Sequence, residues 1–232
     1  MDLLDRLQFF TATDAAALVF IGVAWLGIGW IIEHPPARHP SVSVLMADYR
    51  REWMKQYITR DPRVFDALTL NGLREGTSFF ASACLIAIGG GLALIGSSES
   101  LQTLAEDLSL DDAPALIWDV KVLLVLAFLV SALLKFIWAN RLFGYNAVVM
   151  ASVPNDESDA AYARAAQAAE INIHAVRNFN RGLRSVYFAL AALAWLLGPV
   201  ALILGTLVSV ITLGRREFAS HSRAVLLQGH SS

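Results

Sequence analysis

Apolar residues are concentrated in four long runs, which polar segments separate. The runs cover about residues 14–32, 77–95, 115–138 and 186–213. A helix of this length can cross the roughly 30 Å hydrocarbon core of a bilayer. The pattern therefore predicts an all-α, polytopic membrane protein with four transmembrane helices, forming a single integral membrane domain over 1–232.

Two of the polar segments, about 41–60 and 159–185, are predicted to form cytoplasmic helices. The first predicts an amphipathic helix, because apolar residues recur at three- and four-residue spacing: Val42, Leu45, Met46, Tyr49, Trp53 and Tyr57. Its aromatic stripe suits the headgroup boundary of a membrane, and the alternative is packing against the ends of other helices. The second segment is rich in alanine, and no proline separates it from the fourth span, so one uninterrupted helix is expected.

Basic residues predict the orientation of the spans. Seven lie between spans one and two and five between spans three and four, whereas residues 96–114 contain acids but no Lys or Arg. The positive-inside rule then puts both long segments in the cytoplasm and both termini outside the cell (inner) membrane. Arg215, Arg216 and Arg223 conflict with this prediction, because their tail would lie outside. Either translocation tolerates these charges, or the fourth span, with a kink expected at Gly198-Pro199, does not cross simply.

Composition and motifs narrow the function further. With 56% apolar and 16% charged residues, the chain is unlike ordinary soluble domains, in which about a quarter of the residues are charged. No long basic run points to nucleic acid, and the single cysteine, Cys84, excludes an intrachain disulfide. The spacings HExxH and GxSxG and a phosphate-binding loop do not occur. We therefore predict no enzymatic activity, no catalytic, cofactor-binding or metal-binding residues, and no nucleic-acid partner.

Charged residues within and beside the third span are candidates because charge is costly in lipid. Lys121 and Lys135 are fourteen positions apart and share a helix face, separated by about 21 Å along the axis. Both side chains could simply reach the headgroups. The alternative is specific pairing, which would join Lys121 to Asp14 and Asp119, and Lys135 to Glu75 or Glu33.

A cluster of Arg177, Arg181 and Arg184 lies just before the fourth span. Arginines at this position attract anionic lipid headgroups, and the alternative is topological anchoring alone.

Several short blocks carry a family resemblance. They are W-L-G-x-G-W at 25–30, Tyr49-Arg50-Arg51-x-Trp53-Met54, Ser78-Phe79-Phe80-Ala81-Ser82, Lys135-Phe136-x-Trp138-x-x-Arg141-x-Phe143, Phe179-Asn180-Arg181-Gly182-Leu183-Arg184 and Arg215-Arg216-Glu217-Phe218. In these blocks the chain resembles a bacterial and plant family of membrane proteins catalogued only as a domain of unknown function. The resemblance implies a multi-pass membrane protein without supplying an activity.

Two function classes follow from these patterns. The first is a non-transporting membrane scaffold that binds anionic lipid headgroups or a protein partner. The alternative is a channel or transporter subunit whose Lys121–Lys135 face lines an anion-favouring path, which would require a homo-oligomer since four helices enclose no wide pore. The candidate functional or structural residues are Asp14, Arg74, Glu75, Asp119, Lys121, Lys135, Trp138, Arg141, Asn180, Arg181 and Arg184.

Overall fold

The computed structural model describes residues 10–95 and 115–228 of the chain. Within these ranges the chain forms helices and connecting turns without strands, which confirms the predicted all-α class. The α-helices are α1 (Ala12–Glu33), α2 (Val42–Thr59), α3 (Val64–Ile95), α4 (Ala115–Ala151), α5 (Asp159–Leu193), α6 (Pro199–Phe218) and α7 (His221–Gln228). The acidic segment 96–114, predicted to be an outer loop, lies outside the described residues.

Four segments of the described chain are long and apolar enough to cross a membrane: Ala12–Glu33, Val64–Ile95, Leu116–Ala151 and Pro199–Gln228. Their number agrees with the prediction, and it is what a multi-pass membrane protein requires. α3 and α4 are longer than the predicted spans, because sequence that favours helix continues them at 64–76 and 139–151.

Side-chain caps fix where α1 and α2 begin. At α1, Thr11 Oγ1 accepts a hydrogen bond from the Asp14 backbone N–H (3.2 Å), and Asp14 Oδ2 accepts one from the Thr11 backbone N–H (3.1 Å). This reciprocal arrangement is a capping box. It gives hydrogen-bond acceptors to two backbone N–H groups that have no acceptor within the helix. At α2, Ser41 Oγ accepts from the Val44 backbone N–H (3.3 Å).

The segment 186–213, predicted as one kinked span, reverses direction instead of bending. α5 ends at Leu193, a 3₁₀ turn covers Ala194–Leu197, and Gly198 takes a φ of +112°. Residues with a side chain rarely adopt that φ, whereas glycine does so readily. Pro199 then begins α6 at the first helical position, where a missing N–H costs nothing.

α6 packs antiparallel against the end of α5. Ser209 Oγ donates to the Tyr187 carbonyl (3.2 Å), and a Cβ built on Gly205 would lie 3.2 Å from the Ala191 carbonyl oxygen. The paired positions rise along one helix while they fall along the other, as an antiparallel pair requires. The sequence left two explanations for the basic tail: translocation tolerates its charges, or the fourth span does not cross simply. The hairpin fits the second explanation.

The chain divides into two compact units. The described part of unit 1 comprises 10–30, 83–95, 115–132 and 183–214, and that of unit 2 comprises 31–82, 133–182 and 215–228. Unit 1 therefore contains the α5–α6 hairpin. Unit 2 contains α2, α7 and both long polar segments of the sequence, except for residues 183–185.

Most of the apolar stripe of α2 packs inside unit 2, although Tyr49 is exposed. Leu45, Met54, Tyr57 and Ile58 are buried, and the Tyr57 hydroxyl donates to the Met150 carbonyl (2.9 Å). The small side chains of α5 allow close helix packing in the same core, at Ala161, Ala165, Ala168, Ala169 and Ala175. Packing on other helices, rather than exposure to headgroups, is thus the interpretation of this stripe that the structure supports.

The C-terminal tail also belongs to unit 2. The Glu217 carboxylate accepts from the backbone N–H (3.0 Å) and the hydroxyl (2.9 Å) of Ser43, in the first turn of α2. Arg223 Nε donates to the Pro40 carbonyl (2.9 Å), and α7 packs against α2. The predicted separation of the tail from the long polar segments therefore does not hold.

Candidate functional site

A cleft with two chambers lies between α3 and α4 in unit 2. The Arg63 chamber has a volume of about 280 Å³, and its polar lining consists of Tyr57, Arg63, Asn71 and Arg74. The Ser78 chamber has a volume of about 470 Å³ and is lined by Asn71, Arg74, Glu75, Ser78, Phe79, Ser82 and Asn140. Asn71 and Arg74, one helical turn apart on α3, line both chambers, so the chambers adjoin along that helix.

Arg63 is held in place by backbone carbonyls. Its Nη1 donates to Val153 O, and its Nη2 donates to Ile58 O and Pro154 O, all at 3.1 Å. Its guanidinium carbon also lies 4.3 Å from the centre of the Tyr57 ring. None of these partners is a carboxylate, so the contacts fix the side chain without neutralising its positive charge.

Arg74 is the second cation of the cleft. It is exposed, and among the residues that the structure describes it has no hydrogen-bond or ion-pair partner. The neighbouring carboxylate of Glu75 instead accepts a hydrogen bond from Asn71 Nδ2 (2.7 Å). All five N–H groups of Arg74 are therefore available to a ligand.

The Ser78 chamber adds neutral polar groups. Ser78 and Ser82 contribute hydroxyls, which can donate and accept. Asn140 Oδ1 is buried and has no hydrogen-bond partner within the described chain. Because an unpaired buried acceptor is costly, this oxygen marks a place where a ligand hydroxyl or water would be stabilised.

Two of the three arginines predicted as a headgroup cluster, Arg181 and Arg184, contact other parts of the protein, whereas Arg177 is exposed. Arg181 Nε donates to Glu33 Oε1 (2.8 Å), an ion pair that ties α5 to α1 within unit 2. Arg184 is buried in unit 1 with its Nε near Gly29, and Asn180 is half-buried. Arg184 is therefore turned into the protein, whereas the side chain of Arg181 is paired with Glu33 and still 43% exposed. Attraction of this cluster to lipid headgroups stays a prediction.

In unit 1, Asp14 forms a buried cluster at the start of α1. Its Oδ1 accepts from Trp195 Nε1 (2.8 Å), and its Oδ2 accepts from Thr11 Oγ1 (2.7 Å). Lys121 attracts the same carboxylate electrostatically, and the predicted ion pair between the two residues stays a prediction. Asp119, which was predicted to join them, has a buried Oδ1 without a described partner.

The carboxylates predicted to pair with Lys135 have other partners. Glu33 pairs with Arg181, and Glu75 accepts from Asn71. The pairing of Lys135 stays a prediction.

Two further candidates lie on an exposed face of α4 in unit 2. Arg141 Nε donates to the Tyr145 hydroxyl (2.5 Å), and Trp138 is about half exposed (48%). Exposed Trp and Tyr beside a cation are typical of the membrane–water boundary.

Several functional contacts were missed by sequence reasoning. Asn71 and Asn140 gave no signal, since neither is charged nor part of a recognised motif. The partly buried hydrogen bond from Arg50 Nη1 to Asn172 Oδ1 (2.5 Å) was also missed. Burial lowers the pKa of Arg50 to about 10, so its guanidinium is still protonated at pH 7. The Arg215–Phe218 block did point to Glu217, but its partner Ser43 is 174 positions away.

Comparison with known protein families places most of the chain in a single family. Residues 16–222, most of the chain, match the family described as "Protein of unknown function, DUF599". The chain belongs to the DUF599 family. This confirms the resemblance to an uncharacterised family, and the described helices give that DUF599 sequence four segments able to cross a membrane. Searches of curated proteins and of solved structures found no match.

Proposed function

We propose that this chain is a non-enzymatic membrane protein that binds an anionic phospholipid in the α3–α4 cleft. The observation that carries the proposal is Arg74, a guanidinium group that lines both chambers and has no partner in the described chain. Phosphate and carboxylate groups both suit a fork-shaped guanidinium, which binds them through two parallel charge-assisted hydrogen bonds.

The position of Arg74 along α3 favours a lipid over a soluble phosphate compound. Before this residue α3 carries Asp66, Asn71 and other polar side chains, and after Ser82 its sequence is apolar up to Ile95. Phe79, beside the Ser78 chamber, is about two-thirds exposed (67%). A phospholipid would match this change from polar to apolar sequence along α3. Its phosphate would lie at Arg74, its ester groups near Ser78 and Ser82, and its acyl chains on the apolar side.

Substitution of Arg74 tests this proposal by native mass spectrometry of the detergent-purified protein. The wild-type chain is expected to retain one anionic phospholipid per chain. Arg74→Gln should reduce the retained fraction about tenfold or more, since it removes hydrogen bonds to a charged group, each worth about 1.5–3 kcal/mol. Arg164→Gln is the matched control, because Arg164 is also exposed and without a described partner but does not line the cleft. Equal retention by all three proteins would contradict the proposal.

We further propose that unit 2, including the C-terminal tail, faces the cytoplasm. With the tail against α2, the basic residues of both long segments other than Arg184 belong to one unit, together with Arg215, Arg216 and Arg223. The hairpin of α5 and α6 supports this orientation, because a chain that enters the bilayer and returns brings its tail back to the side of entry. The conflict with the positive-inside rule is thereby removed.

Cysteine labelling in intact cells tests this orientation. In a Cys84→Ser background, Asn155→Cys and Ala219→Cys are both exposed positions in unit 2. We expect both to resist an impermeant maleimide until the membrane is opened, whereas Ser98→Cys, in the predicted outer loop, should react at once. Labelling of Ala219→Cys but not Asn155→Cys in intact cells would refute the shared side.

A further inference from the structure

We infer that the preferred occupant of the cleft is a phospholipid whose headgroup is a phosphate monoester. This inference rests on the proposed function, since it names the lipid class that the same cleft selects. It follows from the balance of charge in the Arg63 chamber, which differs from that in the Ser78 chamber.

The Arg63 chamber contains two guanidinium groups, Arg63 and Arg74, and no carboxylate among its described lining residues. In the Ser78 chamber the charges balance, since the carboxylate of Glu75 lies there with the guanidinium of Arg74. A phosphate monoester carries a charge of about −1.5 to −2 at pH 7, whereas a phosphate diester carries −1. The more highly charged group therefore complements the Arg63 chamber better.

The hydrogen-bonding groups of the Arg63 chamber also favour a phosphate monoester. Arg74 offers five N–H donors, and Arg63 keeps about two after its three carbonyl contacts. The Tyr57 hydroxyl is engaged by the Met150 carbonyl. A dianionic phosphate is purely an acceptor, which matches a chamber that supplies mainly donors.

The same arrangement disfavours headgroups that contain an amine. An ethanolamine or serine ammonium would enter a chamber that already holds two guanidinium charges and presents no carboxylate to receive it. A glycerol headgroup would be tolerated but would leave one positive charge without an opposite charge. We therefore expect the order phosphatidate, then phosphatidylglycerol, then phosphatidylethanolamine.

A competition experiment tests this order on the full-length protein. The detergent-purified chain is incubated with equimolar phosphatidate, phosphatidylglycerol and phosphatidylethanolamine of identical acyl chains, and the bound lipids are counted by native mass spectrometry. At pH 8 we expect about tenfold more bound phosphatidate than phosphatidylglycerol, as one extra charge-assisted contact implies. Arg74→Lys, which keeps the charge, should retain most of this preference, and Arg74→Gln should lose it.

Repeating the competition at pH 5 shows whether the preference depends on the charge or on the shape of the lipid headgroup. The second proton of a phosphate monoester binds with a pKa near 6, so the two anionic lipids have nearly equal charge at pH 5. The titratable groups that line the Arg63 chamber are Tyr57, Arg63 and Arg74, because α4 contributes only Ala147, Met150 and Ala151. Glu75 lines the neighbouring chamber together with Arg74. Because the two lipids no longer differ in charge at pH 5, the preference for phosphatidate should fall towards equality.

The outcomes distinguish the inference from the proposed function. Equal binding of phosphatidate and phosphatidylglycerol at pH 8, with both lost in Arg74→Gln, would overturn the inference and leave the proposed function standing. A phosphatidate preference that survives Arg74→Gln would overturn the inference by locating the selection elsewhere. No retained anionic lipid at all would overturn both.

Discussion

Gly182→Ala is expected to lower the free energy of unfolding by about 1–3 kcal/mol, the usual cost of overpacking a tight core. A Cβ built on Gly182 would lie 2.6 to 2.9 Å from three carbons of the Phe136 ring. That ring is fully buried and packs against Phe80 and Phe179 at centroid distances of 5.6 and 5.5 Å. Because three rings hold one another, Phe136 cannot move aside cheaply, and the loss should appear as a lower unfolding temperature in detergent.

Gly72→Ala is the matched control for this prediction. Both glycines precede Leu-Arg in a helix, at Gly72-Leu73-Arg74 and Gly182-Leu183-Arg184, but a Cβ on Gly72 would meet no atom within 4 Å. Alanine there should stabilise the helix by about 0.5–1 kcal/mol. If the two substitutions shifted the unfolding temperature equally, close packing at Gly182 would not be the cause.

Asp14→Leu is expected to cost about 2–4 kcal/mol of unfolding free energy. It leaves the N–H of the fully buried Trp195 without an acceptor, which costs about 1–3 kcal/mol, and it removes the capping box of α1, which costs about 1 kcal/mol more. The contact with Trp195 joins the start of α1 to the turn between α5 and α6. Unfolding in detergent, followed by tryptophan fluorescence, measures the loss.

Asp14→Asn separates hydrogen bonding from charge at this site. Asparagine keeps an oxygen that can accept from Trp195 but loses the attraction to Lys121. We expect Asp14→Asn to cost less than half as much as Asp14→Leu, and Trp195→Phe to make Asp14→Leu less costly than it is alone. An equal loss for Asn and Leu would make the electrostatic attraction to Lys121 the main interaction.

The fold could be predicted where the signal is local. Length and hydropathy sufficed for the helices that can span a membrane, and Pro35-Pro36 marked the end of the first of them. The Gly198-Pro199 pair also marked a break in the helix, but the same pair is compatible with a kinked helix and with a reversal of chain direction. Only the contacts of α6 with α5, such as Ser209 with Tyr187, distinguish the two.

The candidate site was only partly predictable because side-chain direction depends on tertiary packing. Arg74 and Arg181 both precede apolar sequence, yet Arg181 meets Glu33 while Arg74 meets no described partner. Nothing in the local sequence distinguishes these two arginines. The asparagines of the cleft were missed for a related reason, since an amide gains significance only from what lies beside it.

Photo-crosslinking from within the cleft tests the central claim, that a phospholipid occupies it, most directly. A photoreactive residue is placed at Ser78, which lines the Ser78 chamber, and separately at Ile137, an exposed residue of α4 that does not line the cleft. After irradiation in membranes where anionic phospholipids are a minority, the attached lipids are identified by mass. The account predicts mainly anionic phospholipid at Ser78 and the bulk lipid composition at Ile137. The bulk composition at both positions, or no lipid at Ser78, would contradict it.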